Sequence, residues 1–108
     1  MKTLDAKGQA LNKDMPSEAI VGTGQKPTIA VLPPSQELAA VMIHVDAEIH
    51  LNKPTRAAYQ EMHHKFFGMD WITDYKIPVD EIQFRTADGE IVAKIINLKI
   101  PEIISGRI

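Results

Sequence analysis

Apolar and polar residues alternate most regularly in VMIHVDAEIHL, residues 41 to 51. Val41, Ile43, Val45, Ala47, Ile49 and Leu51 interleave with Met42, His44, Asp46, Glu48 and His50. A strand sends successive side chains to opposite faces, so this alternation predicts a strand with one apolar side and one largely polar side. The next stretch, NKPTRAAYQEMHHKFFG, carries helix punctuation at both ends: Asn52 as a cap, Pro54 in the first turn and Gly68 after the last. Ala58, Tyr59, Met62 and Phe66 recur at helical spacing among Arg56, Gln60, Glu61 and Lys65, which predicts a helix over residues 54 to 67.

VDEIQFRTADGEIVAKIINLKI reads as a hairpin, with Asp88 and Gly89 forming a tight turn. That turn sets Phe84 opposite Ala93 and Ile82 opposite Ile95. Ile82, Phe84, Thr86, Ile91, Ala93 and Ile95 then share one face, and Glu81, Gln83, Arg85, Glu90 and Lys94 share the other. Ile96, Leu98 and Ile100 break this phase, which calls for a bulge near Ile95 and Ile96 or for a second surface covering the strand's far half. PTIAVLPP predicts an edge strand over residues 28 to 32, stopped by Pro33 and Pro34. SQELAA suits a single helical turn with Ser35 as N-cap. MDWITDYKIP is irregular and reads as a link between helix and strand.

These elements make an α+β fold: a small, mainly antiparallel sheet of three to four strands with one principal helix packed on one face. The strands are expected over residues 28 to 32, 41 to 51, 79 to 87 and 90 to 100. A parallel, right-handed crossover through the helix, giving a mixed sheet, is the alternative order. Residues 1 to 26 scatter their apolar positions between Gly8, Pro16, Gly22 and Gly24, which predicts a flexible N-terminal arm. Residues 27 to 108 form a single α+β domain, since 108 residues hold one ordinary core and not two.

Composition adds limits. Hydrophobic residues at 44% and charged residues at 24% are ordinary globular usage. The 12 Lys and Arg balance 14 Asp and Glu without a run of one sign, so no broad nucleic-acid-binding signal is visible. Cysteine is absent, which removes disulfide frameworks, thiolate metal sites and cysteine nucleophiles. No stretch approaches the roughly 20 apolar residues of a membrane span, and a cytoplasmic protein is expected.

Two groups of residues carry candidate chemistry. On a strand, His44, Asp46, Glu48 and His50 would form one row able to pinch a divalent metal, with His63 or His64 as a further ligand. The competing reading is a solvated sheet face, and it is preferred, so no cofactor is expected. No P-loop, nucleophile elbow, zinc-protease or calcium-loop motif is present, which argues against assigning a catalytic residue. The second group is aromatic: Tyr59, Phe66, Phe67, Trp71 and Tyr75 fall close together. Of these Phe67, Trp71 and Tyr75, with Ile103, Ile104 and Ile108 near the end of the chain, are the expected protein interface. The sequence therefore points to a non-enzymatic protein-binding or adaptor protein of the size encoded by phages and other mobile elements. It would act as a homo-oligomer or dock onto a larger protein. The alternatives are a metal-binding protein or metal-dependent enzyme using the histidine and carboxylate row, and a structural subunit of a larger assembly.

Overall fold

The computed structural model describes residues 1 to 50, 65 and 66, and 69 to 101, with side-chain surroundings for all of these except 42, 44 to 50, 65 and 66. In chain order the elements are β1 (Lys2–Asp5), α1 (Met15–Ile20), β2 (Ile29–Leu32), α2 (Pro34–His50), β3 (Lys65–Phe66), β4 (Met69–Thr73), β5 (Ile82–Arg85) and β6 (Ile91–Ile96). The six strands form one mixed sheet in the order β1-β6-β5-β2-β4-β3. Among the described residues the outcome is α+β, with two helices and a larger, less uniformly antiparallel sheet than the sequence pattern predicts.

The main correction concerns residues 41 to 50, which belong to α2 and not to a strand. Helix signals upstream decide this: Pro34 suits the first turn, Glu37 lies in it, and Leu38, Ala39 and Ala40 are strong helix formers. The single turn expected at SQELAA is the start of a 17-residue helix. Topology makes the same demand. β2 and β4 are parallel neighbours, with Ala30 beside Trp71 and Leu32 beside Thr73, and a parallel pair needs a long crossover connection. A mixed sheet is the alternative expectation, but its parallel pair is β2 with β4, not residues 41 to 51 with 79 to 87: residues 41 to 50 are helical, and β5 is antiparallel to both its neighbours. The helix predicted for residues 54 to 67 lies mostly outside the described residues, but its last part does not survive, because Lys65 and Phe66 pair with Asp70 and Met69 as strands.

The hairpin keeps its predicted pairs by an unexpected route. Ile82 faces Ile95 and Phe84 faces Ala93. The turn is one residue longer than expected, however: Thr86 N donates to Glu90 O and Gly89 N donates to Thr86 O, both at 2.9 Å. Gly89 takes the left-handed conformation such a turn needs, with φ of 89°. Arg85 then pairs with Ile91, leaving Val92 as an extra residue on β6. This bulge cancels the longer turn and moves Ile91 onto the face of Arg85. The phase change after Ile95 has a different origin: Asn97, with φ of 57°, ends the strand and delivers Leu98 into the core.

Residues 1 to 26 are not a free arm. β1 runs parallel to β6, with Leu4 beside Ile95 and Asp5 beside Ile96. Ala6, Leu11, Met15 and Ala19 are buried in the core. Pro16 opens α1 instead of interrupting a helix, in the position where its missing N–H costs nothing. Asn12 Oδ1 accepts from the backbone N of Asp14 and Met15 and so holds the helix start. At the other end, Lys2 Nζ donates to Glu18 O and Val21 O, placing a cation where carbonyls are left over.

The core lies on one side of the sheet. Leu4, Ala30, Leu32, Met69, Trp71, Ile82, Phe84, Ala93 and Ile95 face Met15 and Ala19 of α1 and Ala40 and Ile43 of α2. The opposite face carries Thr3, Lys94, Gln83, Val31 and Ile72 in adjacent register positions across five strands. Among the described residues, no helix is long and apolar enough to cross a membrane.

Candidate protein-binding surface

The parallel pair β2 and β4 ends where α2 begins, and residues 74 to 80 close over that end. This loop is pinned from four directions. Asp74 N donates to Leu32 O at 2.9 Å. Ser35 Oγ and Gln36 Nε2 both donate to Val79 O. Leu98 N donates to Asp80 O at 3.0 Å. Within the loop, Lys76 N donates to Asp74 Oδ1, and Ile77 is buried. Beside it, Thr73 Oγ1 donates to Glu37 Oε1, tying the end of β4 to the first turn of α2.

Gln36 is the organising side chain. It is fully buried, and its amide reaches Val79 O and Lys99 O, both at 3.2 Å. Two carbonyl neighbours fix which end of the amide is nitrogen, leaving Oε1 without a partner among the described residues. Its placement joins α2, the loop and the chain after β6.

What this frame holds outward is apolar. Tyr75 is 84% exposed, Val79 53%, Leu38 50% and Ile72 47%. Tyr75 and Val79 lie on the pinned loop itself and Leu38 on the helix it is tied to, while Ile72 belongs to the sheet face away from the helices. A loop whose backbone is held in this way has already lost the backbone freedom that binding would otherwise remove, which favours association by the aromatic side chain it carries.

Of the expected interface residues, Tyr75 stands on this surface. Trp71, by contrast, packs against the core from β4 and is only partly accessible. Phe67, Ile103, Ile104 and Ile108 lie outside the described residues. Leu38, Val79 and Ile72 were not picked out from the sequence. Their signal is topological: Leu38 and Val79 lie on segments that meet through Ser35 and Gln36, whereas Ile72 belongs to the sheet face away from the helices.

The strand that the metal reading assumed is a helix. His44, Asp46, Glu48 and His50 sit on α2 and not on a strand, so the single row expected of them is replaced by helical spacing; their side-chain surroundings lie outside the described residues. Among the residues with described surroundings, no group of three potential metal ligands converges.

A polar network does form on the sheet face away from the helices. Gln83 Nε2 donates to Glu81 Oε2 at 2.7 Å, Arg85 donates to Gln83 Oε1, and Lys94 Nζ stands 3.4 Å from Glu81 Oε2. Its members were expected to share a face, and they do. Each buried acceptor here is matched to a donor, as stability alone requires. A cleft of about 390 Å³ lies between the start of β1, residues 22 to 25 and the start of β6. Its one cation among the lining side chains, Lys2, is already bound to the carbonyls of α1.

No protein-family model, curated protein or solved structure matches this chain.

Proposed function

We propose that this is a non-enzymatic protein-binding or adaptor protein of the cytoplasm, which docks onto a larger protein or assembles with copies of itself. The observation that carries this reading is the display of Tyr75 and Val79 from a loop held by Ser35, Gln36, Leu32 and Leu98. Tyrosine supplies a large, rigid and amphipathic contact with few torsions to freeze. Asp74 and Lys76, on the same loop, supply polar groups beside Tyr75 and Val79, a mixture common to protein interfaces.

The test is a titration with a partner isolated on the intact chain and then purified. Tyr75→Ser combined with Val79→Ser should weaken that complex about 30-fold, the loss expected for a hot spot near 2 kcal/mol. Circular dichroism and the unfolding midpoint should stay close to the parent, since both side chains point to solvent. An unchanged dissociation constant would remove this surface from consideration.

A further inference from the structure

The edge of the sheet at β1 offers a second, separate surface. Ala6 N donates to Ile96 O at 2.8 Å. The even-numbered amides of β1 therefore turn toward β6, and strand alternation directs the backbone groups of Thr3 and Asp5 outward. Both residues are exposed, and among the described residues no strand pairs with that side. Edge strands are commonly protected by charged side chains that repel an incoming strand. Here both charges of β1 are drawn onto their own subunit: Lys2 Nζ onto Glu18 O and Val21 O, and Asp5 Oδ1 onto Lys7 N and Asn97 Nδ2. The edge is thus left unguarded.

We propose that β1 pairs antiparallel with β1 of a second copy about a two-fold axis, joining the two sheets into one. The inference rests on the self-association half of the function proposed above and makes no use of the Tyr75 surface. A two-fold axis normal to the sheet allows pairing centred on Thr3, Leu4 or Asp5. Centring on Asp5 sets two carboxylates opposite each other, and centring on Thr3 sets Lys2 opposite Leu4. Centring on Leu4 sets Thr3 opposite Asp5 of the second copy, twice. That register makes four backbone hydrogen bonds, places a hydroxyl beside a carboxylate on one face, and brings Leu4 against its counterpart on the other. Leu4 already packs against the core, so the contact links the two cores. α1 lies over β1 and β6. With strands about 4.8 Å apart, the two α1 helices come to roughly 10 Å, an ordinary packing distance.

Sedimentation equilibrium of the full chain from micromolar to near-millimolar concentration should show a monomer and dimer in exchange. Thr3→Pro removes the outward N–H while leaving the ladder to β6, and should weaken the dimer roughly tenfold or more, since two donors are lost per dimer. Leu4→Cys, in a chain without cysteine, should form a disulfide dimer on mild oxidation, because facing non-hydrogen-bonded residues bring their Cα atoms to about 4.5 Å. Tyr75→Ser should leave dimerisation intact, which separates this proposal from the function proposed above. A chain monomeric throughout, a dimer that survives Thr3→Pro, a Leu4→Cys protein that stays uncrosslinked, or dissociation by Tyr75→Ser would each overturn it. If Thr3→Pro does not fold, concentration-dependent protection of the Thr3 and Asp5 amides from hydrogen exchange decides in its place.

Discussion

Asn97 does two jobs with one residue. Its left-handed backbone, φ of 57°, ends β6 and lets Leu98 enter the core, and its side-chain Nδ2 donates to Asp5 Oδ1 at 3.0 Å. Asparagine tolerates this conformation better than most residues, and glycine better still. Asn97→Gly therefore keeps the turn and deletes only the side-chain bond. The Asn97 amide, with help from Lys7 N, holds the Asp5 carboxyl below its ordinary pKa. A depressed carboxyl pKa stabilises the fold above the unfolded-state value, and that contribution fades as pH falls through the folded-state value. In Asn97→Gly the Asp5 pKa should rise toward its ordinary value, and stability should depend less on pH in the acid range. A carboxyl-detected NMR titration of Asp5 in both proteins checks this.

At the scale of elements, α2 and the hairpin show opposite lessons. The hairpin was legible because period-two alternation and Asp88-Gly89 agree, and because the longer turn and the Val92 bulge offset each other, preserving the pairs of Phe84 and Ile82. α2 was not legible because Val41, Ile43, Val45 and Ile49 mimic a strand. Their β-branched shape lowers helix propensity by only a few tenths of a kcal/mol each, less than the packing of Ala40 and Ile43 on the core and the β2 to β4 crossover can supply. Ala40, fully buried in α2, tests the assignment. Ala40→Gly should cost about 1 kcal/mol and lower the helical signal, whereas Ala40→Pro should cost about 3 kcal/mol or more. Urea unfolding followed by far-UV circular dichroism measures both. The β5 network makes its own prediction. Lys94→Met removes the cation beside Glu81, which is nearly buried, and should destabilise by about 1–3 kcal/mol. A double-mutant cycle with Glu81→Gln should recover part of that loss.

For the whole molecule, the decisive feature is how much residues 1 to 26 contribute. Scattered apolar positions hid this, because Leu4, Ala6, Leu11, Met15 and Ala19 reach the core from a strand, a turn, a loop and a short helix, and no single period links them. Tyr75 could be singled out from composition, while the exposed Leu38 and Val79, on segments joined through Ser35 and Gln36, required the topology. A free arm could be removed with little effect. Deleting residues 1 to 26 should instead uncover Ile95 and Leu98 and open the edge of β6, giving a protein that loses cooperative unfolding or precipitates. Differential scanning calorimetry of the shortened and full chains distinguishes the outcomes.

The parallel pairing of β1 with β6 joins residues 2 to 5 with 93 to 96, and this has a consequence for biosynthesis. A ribosome adding 5–20 residues per second leaves the first strand without its mate for roughly five to twenty seconds. During that interval the nascent segment depends on chaperones or on its own polarity, and its pairing with β6 is a long-range closure, the slow kind of event in chain folding.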